Sequence, residues 1–176
     1  MNKCIHIVSF DVPFPPDYGG VLDVYLRTKA LKSLGYYVIL HCYEYGRGTT
    51  HDFSEIANEI HYYHREKGLR FLFSKTPFIV KTRNSSKLLN RLLQDEHPVL
   101  LEGQHTTYWA KELFKNNRLV AIRMHNIEWR YYRDLADSTH SIFNRVYYLL
   151  EAWKLKQHQH QLKRIPLLCI STNDRD

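Results

Sequence analysis

A chain of 176 residues, 44% hydrophobic and 24% charged, is long enough for one domain with a real core, and its composition excludes a low-complexity or disordered class. A net charge of +7 favours anionic partners (nucleotides, nucleic acid or an anionic bilayer) without choosing among them. Cys4, Cys42 and Cys169 are odd in number and widely spaced, which argues against a disulfide framework or a zinc site and for a reducing compartment. The short apolar run before Asp11 is too little for a signal peptide, and no stretch approaches the roughly 18 apolar residues of a membrane span, so a cytoplasmic protein is the expectation.

The first strand is expected over residues 4–10, an apolar run broken by Asp11 and a loop containing Pro13, Pro15 and Pro16. These prolines fix φ and cannot continue a strand ladder, so the loop is held off the sheet. It ends in Tyr18-Gly19-Gly20, where a helix over 21–34 begins, with Leu22, Tyr25, Leu26, Ala30 and Leu34 at helical spacing and Gly35 as its stop. Gly-Gly lets the backbone approach a ligand, and the helix start offers unpaired N–H groups suited to an anion. Plain loop punctuation explains the same residues.

Further strands are expected over 37–43, 60–64, 99–102, 119–124 and 167–170, each continuous in apolar character, as strands covered on both faces are. All three cysteines fall in such strands. Helices are expected over 85–94, 106–114, 127–136 and 141–163, and residues 68–83, broken by Pro77, as an irregular or short helical excursion. Such alternation means an α/β fold, a Rossmann-like doubly wound parallel sheet of about six strands. In the helix over 141–163, Ile142, Val146, Leu149, Leu150 and Trp153 form a stripe that most simply packs on the sheet. The accompanying Arg145, Lys154, Lys156, Lys163 and Arg164 leave an anionic membrane face as the other account.

Ligands in such sheets bind beyond the carboxyl ends of the strands. The residues there are 11–20, then Glu102-Gly103-Gln104-His105, His125-Asn126 and Ser171-Thr172, all of them polar or glycine apart from the proline loop. His125 can hydrogen-bond a hydroxyl, shuttle a proton, contact a phosphate or cap its own loop. His105 has the same placement, and Glu128 sits near the start of the next helix. No G-x-G-x-x-G, P-loop or G-x-S-x-G motif is present, which removes the usual nicotinamide, P-loop and serine-hydrolase readings. His158 with His160, and His61 with His64, cannot close on one ion locally and read as surface histidines; no metal site is expected.

Residues 11–20 after the first strand, followed by Lys29-Ala-Leu-Lys-Ser-Leu-Gly-Tyr-Tyr-Val-Ile39, resemble the start of the group 1 retaining glycosyltransferases of GT-B architecture. His125-Asn-Ile-Glu128 resembles their His-Asn-(Val/Ile)-Glu segment, and Cys169-Ile-Ser-Thr-Asn-Asp174 the last strand of their N-terminal domain. The resemblance implies that residues 1–176 are the acceptor-binding N-terminal domain, one half of a GT-B enzyme whose donor domain this chain does not contain. Alone, such a domain is expected to be inactive. It implies a catalytic His125 and a donor-phosphate or acceptor loop at Gly19 and Gly20; by their place at the strand ends Asp17 and Tyr18 join that loop, and His105, Asn126, Glu128 and Glu102 are the expected substrate contacts. A nucleotide-diphosphate sugar is the implied co-substrate, with no other cofactor, and a polysaccharide or glycolipid the implied acceptor. Peripheral contact with the inner membrane face is allowed for, and nucleic acid is not an expected partner. The alternative is a non-catalytic Rossmann-like module binding a nucleotide or a partner protein.

Overall fold

The structure, a computed structural model, describes residues 3–171. Six strands, β1 (Cys4–Ser9), β2 (Tyr37–Glu44), β3 (Glu59–His64), β4 (Val99–Glu102), β5 (Val120–Met124) and β6 (Leu168–Ser171), form one sheet. All neighbours are parallel, in the order β3-β2-β1-β4-β5-β6. This is the expected Rossmann-like α/β fold, and its order reverses between β1 and β4, where the crevice opens. Thr172 and the rest of the Cys169–Asp174 segment beyond Ser171 lie outside the described residues.

Helices α1 (Gly19–Ser33), α2 (Phe78–Lys81), α3 (Ser86–Leu92), α4 (Ala110–Lys115), α5 (Glu128–Ser138) and α6 (Ile142–Leu162) connect the strands, with 3-10 turns at Leu69–Phe73 and Gln104–Trp109. Ser85 and Ser141 cap α3 and α6 by accepting from Leu88 and Asn144 N–H groups. Side chains alternate across the sheet. Ile7, Val38, Leu40, Cys42 and Leu100 pack on one face with Phe53, Ile56 and the Tyr25 and Leu31 side chains of α1. Val8, Tyr43, Val99, Leu101 and Ile122 pack on the other with Leu88 and Leu92 of α3 and Leu113 of α4.

That second face also carries a polar line. Asp95 contacts His6 Nε2 at 2.9 Å, His6 Nδ1 contacts His41 Nε2 at 2.9 Å, and His41 Nδ1 reaches the Tyr63 hydroxyl at 2.9 Å. His61 stacks on His41 with ring centroids 5.1 Å apart. Burial holds the His41 imidazole well below its ordinary value, with His6 and His61 adding to the effect. Burial lowers His6 too, against the opposing pull of Asp95.

Several sequence expectations change. In α1 the buried residues are Val21, Val24 and Thr28, whereas Leu22, Leu26, Ala30 and Leu34 face outward. The helix is rotated because Asp23 and Arg27 are drawn to charged partners at the ends of β4 and β5. The α6 stripe does not pack on the sheet: Ile142 is 78% exposed, Phe143 88% and Trp153 61%, with Val146, Leu149 and Leu150 beside them. The helix turns its other side inward, where buried Glu151 accepts from the Phe78 N–H at 2.6 Å and Lys154 at 2.8 Å. On the same side Gln104 Nε2 donates to the Leu155 carbonyl at 2.8 Å. His158 is no surface histidine. It meets Thr107 Oγ1 at 2.8 Å, and burial lowers its imidazole to about 4. Cys42 is buried as expected, Cys4 only partly, and Cys169 is exposed on edge strand β6, where Leu168 and Ile170 are uncovered as well.

Candidate functional site

The period-2 alternation of parallel strands sets up the site. Glu102 at the end of β4 lies opposite Arg123 on β5, on the sheet face that α1 covers. His125 follows one further repeat along and points the same way. Asp23 and Arg27, one turn apart on α1, meet them from above.

The result is a closed charge cluster. Fully buried Glu102 takes Arg27 on one oxygen, and its Oε2 stands 2.9 Å from His125 Nε2, an ion-pair contact off the linear hydrogen-bond angle. On the far side, His125 Nδ1 lies 3.0 Å from Asp23 Oδ2 and 3.2 Å from Arg123 Nη1. A proton on Nδ1 favours the carboxylate; its absence favours the guanidinium. Arg123 and Arg27 both bind Asp23. Burial pushes the Asp23 carboxyl up, but the two guanidinium groups outweigh it and leave it below its usual value.

His125 lines a cleft of about 380 Å³ at the carboxyl edge of the sheet. Tyr18, Gly20, His105, Asn126 and Glu128 line it too. Phe10 forms its floor, its ring 5.3 Å from that of His105 and 5.7 Å from that of His125. Glu128 opens α5, is only 6% exposed, and has its carboxyl raised to about 7 by burial, against the opposing fields of His125 and Arg83. Its Oε1 stands 3.9 Å from Nδ1 of His105, a buried nitrogen with no hydrogen-bond partner. Burial keeps His105 well below its ordinary value, with Arg83, Arg65 and His125 adding to the effect. A carboxyl that holds its proton near neutral pH beside a neutral imidazole can donate to, accept from or protonate a sugar-like hydroxyl.

Of the residues expected from the sequence, Tyr18, Gly20, His105, His125, Asn126 and Glu128 come together in this cleft. Glu102 stands behind His125 rather than in the cleft wall. Asp17 is turned to Arg47, which also donates to the Phe14 and Pro15 carbonyls and lies over the Tyr18 ring, so it braces the proline loop. The two glycines differ. Nothing lies within 4 Å of a Cβ built on Gly19, whereas one on Gly20 would stand 3.0 Å from Phe10 Cζ, so any side chain there presses on the ring that floors the cleft. Tyr18 at the start of α1 makes no capping side-chain bond.

Arg65, Arg83 and Tyr45 also line the cleft and were not singled out in the sequence. The strand-end rule that picks out His125 reaches two of them. Tyr45 directly follows β2 and Arg65 directly follows β3. Arg83 follows α2 and carries no local signal. Among the described residues, no group of three or more His, Cys, Asp or Glu side chains is placed to hold a metal ion.

No family model matches the chain, and no solved structure matches it. Among curated proteins it is similar to an "Uncharacterized 44.6 kDa protein in cps region" of Klebsiella pneumoniae, with 29% identity over 189 aligned positions. That alignment takes in the whole of this chain and 47% of the relative, so the chain spans about half the relative's length. The likeness to GT-B transferases rests on the sequence motifs.

Proposed function

We propose that this chain is the acceptor-side half of a glycosyltransferase in surface-polysaccharide assembly. A nucleotide-diphosphate sugar is the co-substrate, and a glycan or glycolipid is the acceptor. The observation that carries this reading is the cleft at the β4 and β5 ends, lined both by His125, held between Glu102 and Asp23, and by Glu128, its carboxyl raised to about 7. The relative's printed "cps region", read as a capsule-polysaccharide locus, supports the pathway. The His-Asn-Ile-Glu segment and the Tyr18-Gly-Gly loop support the reaction class.

In this reading Glu102 and Asp23 fix the His125 ring, so the imidazole meets the reacting sugar without reorganising. Glu128 and His105 orient an acceptor hydroxyl, and the open start of α1 faces the departing diphosphate. Transfer proceeds with retention, and the partner half of the enzyme supplies most donor contacts. The uncovered α6 stripe meets the anionic membrane that bears the acceptor. Among the described residues no helix is long and apolar enough to cross a membrane, so this contact is with the surface.

The test is transfer by the protein of the complete reading frame, with labelled nucleotide sugars and lipid-linked glycan acceptors. Transfer that falls by about a hundredfold, 2.7 kcal/mol in the barrier, in a His125→Ala protein that remains folded is the expected outcome. A folded protein with no transfer from a broad donor panel removes the reading.

A further inference from the structure

Two cations that line the cleft have no carboxylate in contact with them. Arg83 is only 2% exposed, yet its Nε and Nη1 donate to main-chain carbonyls, Phe10 at 3.0 Å and Ile79 at 2.7 Å. Arg65 donates from Nε to Thr82 Oγ1 at 3.1 Å. Among the described residues neither guanidinium lies within 4.0 Å of a carboxylate oxygen. Both sit over one ring, Tyr45, with Arg65 at 4.6 Å and Arg83 at 5.6 Å from its centroid. Burying a guanidinium without an anion is costly, and placing a second one beside it costs more. Burial and the neighbouring Arg65 lower Arg83 from its ordinary value to about 10.

The rest of the wall does not repay it. Asp11 acts on Arg83 only through its field: its carboxylate oxygens accept from the Val12 N–H at 2.8 Å and the Tyr18 hydroxyl at 3.4 Å and touch neither guanidinium. Burial raises the Glu128 carboxyl to about 7 and holds His105 well below its ordinary value, so near neutral pH Glu128 brings only part of its charge and His105 none. The cleft is therefore cationic, and one nitrogen beside it, His105 Nδ1, is left unpaired.

We infer that Arg65 and Arg83 form a subsite for an anionic group, carboxylate or phosphate, carried on the acceptor sugar. The inference rests on the proposed reading for the word acceptor and on the cleft alone for the anion. The N–H groups of Arg65 and Arg83 that these contacts leave over can donate to such a group, and Glu128, which lines the same cleft, can donate when it carries its proton. A neutral sugar of the same shape leaves both cations unmatched.

The test is calorimetry on the folded protein with four probes: methyl β-glucuronide, glucose 1-phosphate, neutral methyl β-glucoside and a nucleoside diphosphate. The expected result is that one of the two sugar anions binds about tenfold to a hundredfold tighter than the glucoside, the range of one charge-assisted contact. Preference for the glucuronide marks a sugar acid; preference for the sugar phosphate marks a phosphorylated acceptor. Arg65→Gln should remove that preference, so that the charged and neutral sugars bind alike. Arg83→Lys, which keeps the charge and loses the fork, should weaken the anion by a smaller factor. Equal binding of charged and neutral sugars overturns the proposal, as does an unchanged Arg65→Gln. So does absence of binding by both sugar anions at millimolar concentration. Arg65-dependent binding of the nucleoside diphosphate alone overturns the assignment to the acceptor. Arg65-dependent anion binding in a complete protein without transferase activity removes the transferase reading and keeps the subsite.

Discussion

Nε2 of His125 stands 2.9 Å from Oε2 of Glu102, across the ends of two neighbouring strands. Glu102 is completely buried and also holds Arg27, so one carboxylate orders a helix and an imidazole together. The two partners of His125 differ in their surroundings, because the Asp23 side chain is 37% exposed.

Glu102→Gln should therefore destabilise the protein more than Asp23→Asn. Removing the fully buried carboxylate strands the Arg27 guanidinium and costs about 3–5 kcal/mol. Removing the part-exposed one, where water screens the loss, should cost about 1 kcal/mol. Urea unfolding of the two variants measures the order, and equal losses would show that the cluster is solvated throughout.

Glu128 makes stability depend on pH in a known direction. Its carboxyl moves from an ordinary value of 4.5 to about 7 in the folded state, with burial as the main cause. Between those values the folded chain keeps a proton that the unfolded chain has lost. Stability from this group thus falls as pH rises through the window and is level above it. Glu128→Gln cannot ionise, so its stability relative to the parent should grow from pH 4.5 to pH 7 by up to about 3 kcal/mol. Denaturation curves at pH 5 and pH 8 check this, and a difference that does not change with pH contradicts it.

The two glycines of the loop should respond oppositely. Gly19→Ala enters open space at the first turn of α1 and should stabilise the chain by about 0.5 kcal/mol through reduced backbone entropy. Gly20→Ala presses on the Phe10 ring and should cost about 1–3 kcal/mol, the range for overpacking. Thermal melts decide, and a tolerant Gly20 would mean that Phe10 moves freely.

The α6 stripe should carry the protein onto anionic vesicles. Arg145 and Lys156 flank it, and its one acid, Glu151, is buried, so pairing with a second copy would set like charges together whereas an anionic surface neutralises them. Co-sedimentation with phosphatidylglycerol vesicles at low salt, lost in Val146→Asp with Leu150→Asp, is the expected result. Both positions are more than half exposed, so the melting temperature should hardly move. Equal sedimentation with neutral vesicles, or none with anionic ones, removes the membrane role.

The sheet was legible because buried parallel strands are written as unbroken apolar runs, and each of the six runs became a strand within a residue or two. Helix orientation was not. The leucines of α1 and the stripe of α6 look like core faces, and only the partners of Asp23, Arg27 and Glu151, distant in sequence, turn those helices the other way. Strand-end polarity led to His105 and His125. It also reached Tyr45 and Arg65, whose meaning depends on Arg83, placed beside them by a fold of the chain that no spacing reports.

The line from Asp95 through His6 and His41 to Tyr63 ties β1, β2 and β3 together by groups that point to one face only. If either strand slid by a single residue, its imidazole would swing to the opposite face, among Ile7, Leu40 and Ile56, with nothing to bond. Apolar side chains tolerate such a slide, since one aliphatic contact replaces another. The imidazoles do not, so they act as a key cut for one register, and the strand ends that carry the cleft arrive level with each other.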